Sequence, residues 1–199
     1  MATDVGLRLR AIECPADVTF QTNLSAAFGS RVFEYYLYAD DKDGILNPKE
    51  EQVHYTPAYE YVKKANAQLK VLAEELSIYE WVSSKVVTGS EISSEHNRAG
   101  FSLVEKYQPK SFAHLLEFKS SADALVSELI SAEEGYGYMA VNFTEPTENI
   151  CNVCEFVFDS TVEKVLTVKS GRKEERLVEN GVLTISLEAG EGVFVKILK

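Results

Sequence analysis

The sequence predicts an α+β protein: a C-terminal antiparallel β-sandwich with an N-terminal helix-strand-helix segment packed on it. Two amphipathic helical stripes fall within the first 78 residues. From about residue 115 onward, short runs rich in β-branched and aromatic residues recur at regular spacing, and turn dipeptides separate them. The module boundary is placed between residues 78 and 79, giving a helix-strand-helix segment over 1–78 and a sandwich module over 79–199.

In chain order, residues 1–14 mix polar and apolar types, and LRLRAI alternates as a short strand or extended arm would. Pro15, Ala16 and Asp17 open a helix in which Phe20, Leu24, Ala27 and Phe28 form one apolar stripe. Gly29 stands where a helix C-terminus favours a left-handed residue. RVFEYYLY at 31–38 reads as a strand, and a polar loop with Asp40, Asp41, Asp43, Gly44 and Pro48 follows. Thr56 and Pro57 supply a hydroxyl cap and a proline at the first position of a second helix, about 20 residues long. Tyr59, Val62, Leu69, Leu72 and Leu76 line its apolar face. WVSSKVVTG is a strand candidate, the Ser/Gly/Asn-rich stretch after it a loop, and Gln108-Pro109-Lys110 a turn.

The runs LLEFKS, ALVSELIS, YGYMAVNF, ICNVCEFVF, KVLTVKS, ERLVENG, VLTISLEA and GVFVKIL then read as seven or eight strands. Glu134-Gly135, Glu145-Pro146, Ser170-Gly171, Asn180-Gly181 and Ala189-Gly190 punctuate them. Asn180-Gly181, between two alternating runs, is the strongest hairpin signal in the chain.

Composition narrows the function. The 199 residues are 45% hydrophobic and 26% charged, ordinary for a globular chain able to bury a core. A net charge of −11 repels phosphate backbones, so nucleic acid is not an expected partner. No apolar run approaches the roughly 20 residues of a membrane span, so no membrane partner is expected either. Charges interrupt the N-terminal MATDVGLRLRAIE where a signal peptide needs an apolar centre. The expected location is cytoplasmic, or extracellular if the chain is a fragment of a longer exported one. Three cysteines do not make a disulfide framework, and no cofactor is expected.

Local motifs supply the candidate sites. Asp41, Asp43 and Glu50 fall at ligand positions of a calcium-loop template, with Gly44 at the turn. Ala39 replaces the first ligand and Pro48 interrupts the segment, so an acidic turn explains the same residues. Cys151 and Cys154 form a lone CxxC whose nearest histidines, His96 and His114, lie far upstream; small buried hydrophobes are the expected state. Tyr35, Tyr36, Tyr38, Tyr55, Tyr136 and Tyr138 offer aromatic platforms for sugar rings, against the commoner alternative of core packing. Glu34 interrupts an apolar strand, and alternation places it on the solvent side of an edge strand.

Several segments together resemble the end of the (β/α) barrel and the C-terminal sandwich of retaining glycosidases of the β-galactosidase type. They are FQTNLSAAFG at 20–29, FEYYLY at 33–38, DGILN at 43–47, TPAYEYVKKANAQL at 56–69, YGYMAVNF at 136–143 and LEAGEGVFVKIL at 187–198. Such enzymes work with two carboxylates, roughly 5 Å apart in retaining members. The resemblance implies that both sit on barrel strands this chain does not contain, so the chain is expected not to be an enzyme. It also implies a sugar-contacting role for Glu34, Tyr36 and Tyr38, since the end of the last barrel strand borders the substrate. A non-catalytic module that binds a glycan or acts as a scaffold is the expected function. The alternatives are an interaction protein that completes a partner chain or a homodimer, and a hydrolase with an unrecognised site of clustered carboxylates. Strand 31–38 is expected either to join the β module or to pair between two chains, since a lone strand leaves both edges open.

Overall fold

The computed structural model describes residues 12–35, 46–47, 54–93, 104–106 and 108–198. Helix α1 spans Pro15–Ala27. Strands β1 (Leu46–Asn47) and β2 (His54–Tyr55) form a two-residue ribbon, and helix α2 spans Pro57–Leu76. Nine further strands follow: β3 (Glu80–Val87), β4 (Leu115–Ser120), β5 (Ala124–Ser131), β6 (Gly135–Asn142), β7 (Asn152–Phe158), β8 (Lys164–Lys169), β9 (Arg172–Leu177), β10 (Val182–Leu187) and β11 (Gly192–Ile197). They make a six-stranded sheet, β3-β5-β6-β11-β8-β9, and a three-stranded sheet, β10-β7-β4, with every ladder antiparallel. This is the α+β sandwich with an N-terminal helical segment that the sequence predicts.

Both helices start at a proline, as the sequence implies, but the hydroxyl cap expected for the second is not made: the Thr56 side chain forms no capping hydrogen bond. Pro15 stands at the first turn of α1, and the Asp17 carboxylate reaches back to accept the backbone N–H groups of Glu13 and Cys14, each at 2.9 Å. α2 starts at Pro57 after an extended Thr56. Gly29 closes α1 at φ +77°, and a Cβ there would lie 2.9 Å from Cβ of Trp81, so the position needs glycine for backbone and for space. Phe28 departs from the expected stripe. It is exposed and tilted against Trp81 at 6.4 Å, beyond the last helical turn.

The middle element also differs. Residues 31–35 carry no strand, and 36–38 lie outside the described residues. Phe33 and Tyr35 find packing in place of ladder bonds, Phe33 against the core beneath the helices and Tyr35 against α2, while Val32 stays exposed.

The six-stranded sheet is covered on both faces, which makes three layers. One face packs on the three-stranded sheet through Ala124, Val126, Tyr138, Ala140, Val193 and Val195. The other packs under α1 and α2 through Leu125, Leu129, Met139, Val141, Val168 and Phe194, meeting Ala26, Ala27, Leu72 and Leu76. Strict alternation therefore serves two cores, and ALVSELIS and GYGYMAVN are buried along most of their length for that reason.

Asn180 and Gly181 make a tight turn with φ +53° and +78°, as the dipeptide predicts, but not a hairpin. Among the described residues β9 ladders only with β8, and β10 ladders with β7. The turn carries the chain from one sheet to the other. The two-residue hairpin of this type is Ser170-Gly171, between β8 and β9, with φ +50° and +74°.

Candidate tyrosine platform

The start of α2 gathers the chemistry best suited to a ligand. Tyr55 precedes the helix cap and Tyr59 lies four residues on, so the first turn brings the rings to 4.1 Å between centroids at 34°. Tyr55 is 62% exposed. Lys63, one turn further, holds its ammonium 5.8 Å from the Tyr59 ring centroid and 3.4 Å from the Glu60 carboxylate. Asn66, on the same face again, accepts a 2.7 Å hydrogen bond at Oδ1 from the Tyr35 hydroxyl. Burial raises the Tyr35 hydroxyl above the usual tyrosine range, so it stays a protonated donor.

A small apolar cluster fixes this surface from beneath. Val18 of α1 meets Val62 and Ala65 of α2, with Ile12, Tyr35, Tyr59 and Tyr61 packed round them. The arrangement offers two aromatic rings, a cation, a carboxylate and an amide on one helix face. It can stack a flat apolar surface and hydrogen-bond polar groups at its rim.

The structure places the expected site residues unequally. Glu34 is exposed, next in the chain to Tyr35. Tyr36, Tyr38, Asp41, Asp43 and Glu50 lie outside the described residues. Tyr136 and Tyr138 are not platforms. Tyr138 is buried in the sandwich core, and Tyr136 is half-buried with its ring 5.4 Å from that of His114. Cys154 is buried in the same core, where desolvation pushes its thiol up to about 12, while Cys151 is exposed.

A second polar constellation escaped the sequence. Glu128 points into the sandwich and accepts the Ala113 N–H at 2.6 Å, while the Tyr138 hydroxyl donates to the Ala113 carbonyl. His114, at φ +56°, lies 3.0 Å from Asp159 through Nδ1, and its carbonyl accepts the Asp159 N–H at 2.8 Å. Burial raises the Glu128 carboxyl above the carboxylate range. The Thr161 hydroxyl and N–H, with His114, hold Asp159 below it. Each of these contacts clamps residues 113–114 across the end of the sandwich. The group is a structural latch: the Glu128 oxygen, the Tyr138 hydroxyl and Asp159 Oδ2 are spent on that segment, while Asp159 Oδ1 accepts from Thr161.

A signal for the platform did exist in the sequence: Tyr55 and Tyr59 stand at helical spacing beside a cap. The Tyr35–Asn66 contact, across 31 positions, had none. Among the described residues no helix is long and apolar enough to cross a membrane. Comparison of the chain with protein-family models, with curated proteins and with solved structures returned no match in any of the three.

Proposed function

We propose that this chain is a non-catalytic binding module of glycosidase descent that takes a carbohydrate on the Tyr55–Tyr59 face. One observation carries the proposal: an exposed Tyr55 ring packed on a half-buried Tyr59, flanked by Lys63, Glu60 and the Tyr35–Asn66 hydrogen bond. A sugar presents an apolar C–H face and a rim of hydroxyls, and this surface offers the complement of both. The segmental resemblance to β-galactosidase-type enzymes supports the ligand class.

Calorimetric titration against a panel of neutral oligosaccharides tests the proposal. Saturable heat at sub-millimolar to millimolar ligand is expected. A flat titration across the panel at millimolar concentration rejects it.

A further inference from the structure

The two edges of the six-stranded sheet are built differently. The outer strand at one end, β9, reads RKEERL and presents charges along almost its whole length, a common protection against edge-to-edge pairing. The outer strand at the other end, β3, reads EWVSSKVV and, among the described residues, pairs only with β5. Its first half is apolar and exposed: Trp81 is 45% exposed and Val82 43%, with Phe28 and Ile78 exposed beside them.

A bulge gives β3 a further property. Trp81 stands opposite Leu129 and Ser83 opposite Glu128, so Val82 is an extra residue. Trp81 and Ser84 consequently share the helix-side face; the Trp81 indole N–H donates to the Ser84 hydroxyl at 2.8 Å. Glu80, opposite Ile130, and Lys85, opposite Val126, share the other face, although an unbulged strand would place residues five apart on opposite faces. Glu80 and Lys85 are both exposed, and neither has an ion-pair partner among the described residues.

We propose that β3 is a self-association edge, on which a second copy of this chain pairs antiparallel with Glu80 of each copy opposite Lys85 of the other. In that register Trp81 meets Ser84 and Val82 meets Ser83 across the seam, and the Glu80–Lys85 and Trp81–Ser84 pairs each lie on a common face. The register is its own two-fold image, as an isologous dimer requires, and it forms two Glu–Lys pairs at once. The two six-stranded sheets become one continuous sheet, with the helices of both copies on the same side. The exposed Phe28–Trp81 pair of each copy is then carried to the seam. Self-complementarity of charge on one short strand singles out a second copy as the occupant. The interface is separate from the tyrosine face of α2 and stands whether or not that face takes a sugar.

Sedimentation and light scattering of the full chain test it, with wild type, Lys85→Glu, Glu80→Lys and the combined exchange. Wild type is expected at twice the chain mass of 22.2 kDa. Each single reversal sets two like-charge pairs across the seam and raises the dimer dissociation constant on the order of tenfold. The combined exchange restores it. Trp81, the one tryptophan of the chain, shifts its emission to longer wavelength as wild type is diluted into monomer. A wild-type monomer at every concentration overturns the proposal, as does a dimer indifferent to the single reversals. Failure of the combined exchange to restore the dimer overturns it as well.

Discussion

Tyr79 and Phe194 meet edge to face at 5.1 Å, and both rings lie against Gly137 on the helix-side face of the six-stranded sheet. A Cβ at Gly137 would lie 2.7 Å from the Phe194 ring and 3.1 Å from that of Tyr79. The glycine leaves room for the aromatic pair that seats the C-terminal end of α2. Gly137→Ala is therefore expected to destabilise the fold by about 1–3 kcal/mol through overpacking, since its backbone is not in the left-handed region. Denaturant titration followed by circular dichroism reads it; an unchanged midpoint would show that the ring pair is free to shift.

The Tyr79 hydroxyl is buried with no hydrogen-bond partner among the described residues, and desolvation beside Glu134 and Glu75 raises it above the usual tyrosine range. Tyr79→Phe removes an unsatisfied polar atom and keeps the ring contacts. It is expected to leave stability unchanged or raise it by about 1 kcal/mol. A loss of that size in thermal unfolding would contradict the assignment of the hydroxyl as unsatisfied.

Glu75 ties α2 to the sheet. Its carboxylate lies 2.7 Å from Lys173 and 3.4 Å from Lys196, and Lys196 also reaches Glu134 at 3.1 Å. The Lys173 hydrogen bond, with the charges of both lysines, holds the Glu75 carboxyl below the ordinary range. A depressed carboxylate contributes stability above its unfolded value and loses it as pH falls through its folded value. Glu75→Gln is expected to cost about 1 kcal/mol near pH 7, because the Lys196 side chain is only 12% exposed and loses a partner. The gap from wild type closes below about pH 4.5, the unperturbed value for the group.

Glu128 runs the other way. Burial raises its carboxyl, so the folded protein is favoured when the group is protonated, and that advantage fades as pH rises through its folded value. Glu128→Gln keeps an acceptor for the Ala113 N–H and removes the buried charge. It is expected to match or exceed wild type by about 1 kcal/mol at pH 7, with the difference shrinking towards pH 4.5. Unfolding curves from pH 7 to well below pH 4.5 distinguish the mutants: Glu75→Gln starts below wild type and converges only below pH 4.5, whereas Glu128→Gln starts level or above and converges towards that value.

Alternation and turn chemistry made much of the sandwich legible. LLEFKS and ALVSELIS fold as strands with the bounds that their patterns imply, because glycine, serine and acidic turns bracket them. ERLVENG reads as a strand at 175–181, whereas the strand runs Arg172–Leu177, since a charged edge strand carries no apolar period to mark its start. Asn180-Gly181 identified a tight turn but not its role, because local backbone preference cannot say which neighbour the next strand will pair with. Residues 31–35 show the reverse case: high β propensity, but the segment packs Phe33 and Tyr35 beside the helices and forms no ladder. On the platform, Tyr55 and Tyr59 were visible as a helical pair, whereas Tyr35 with Asn66 depends on tertiary approach.

The platform itself is tested most directly by titrating one oligosaccharide that binds the wild-type chain into Tyr55→Phe and Tyr55→Ala. Tyr55 is 62% exposed and its ring rests on Tyr59, so the substitutions should leave the fold intact. Tyr55→Phe, which keeps the ring, is expected to retain wild-type affinity within a few-fold. Tyr55→Ala is expected to lose about tenfold, or roughly 1.4 kcal/mol, with an unchanged unfolding midpoint. Equal affinity of Tyr55→Ala and wild type for that sugar would contradict a carbohydrate site on this face of α2.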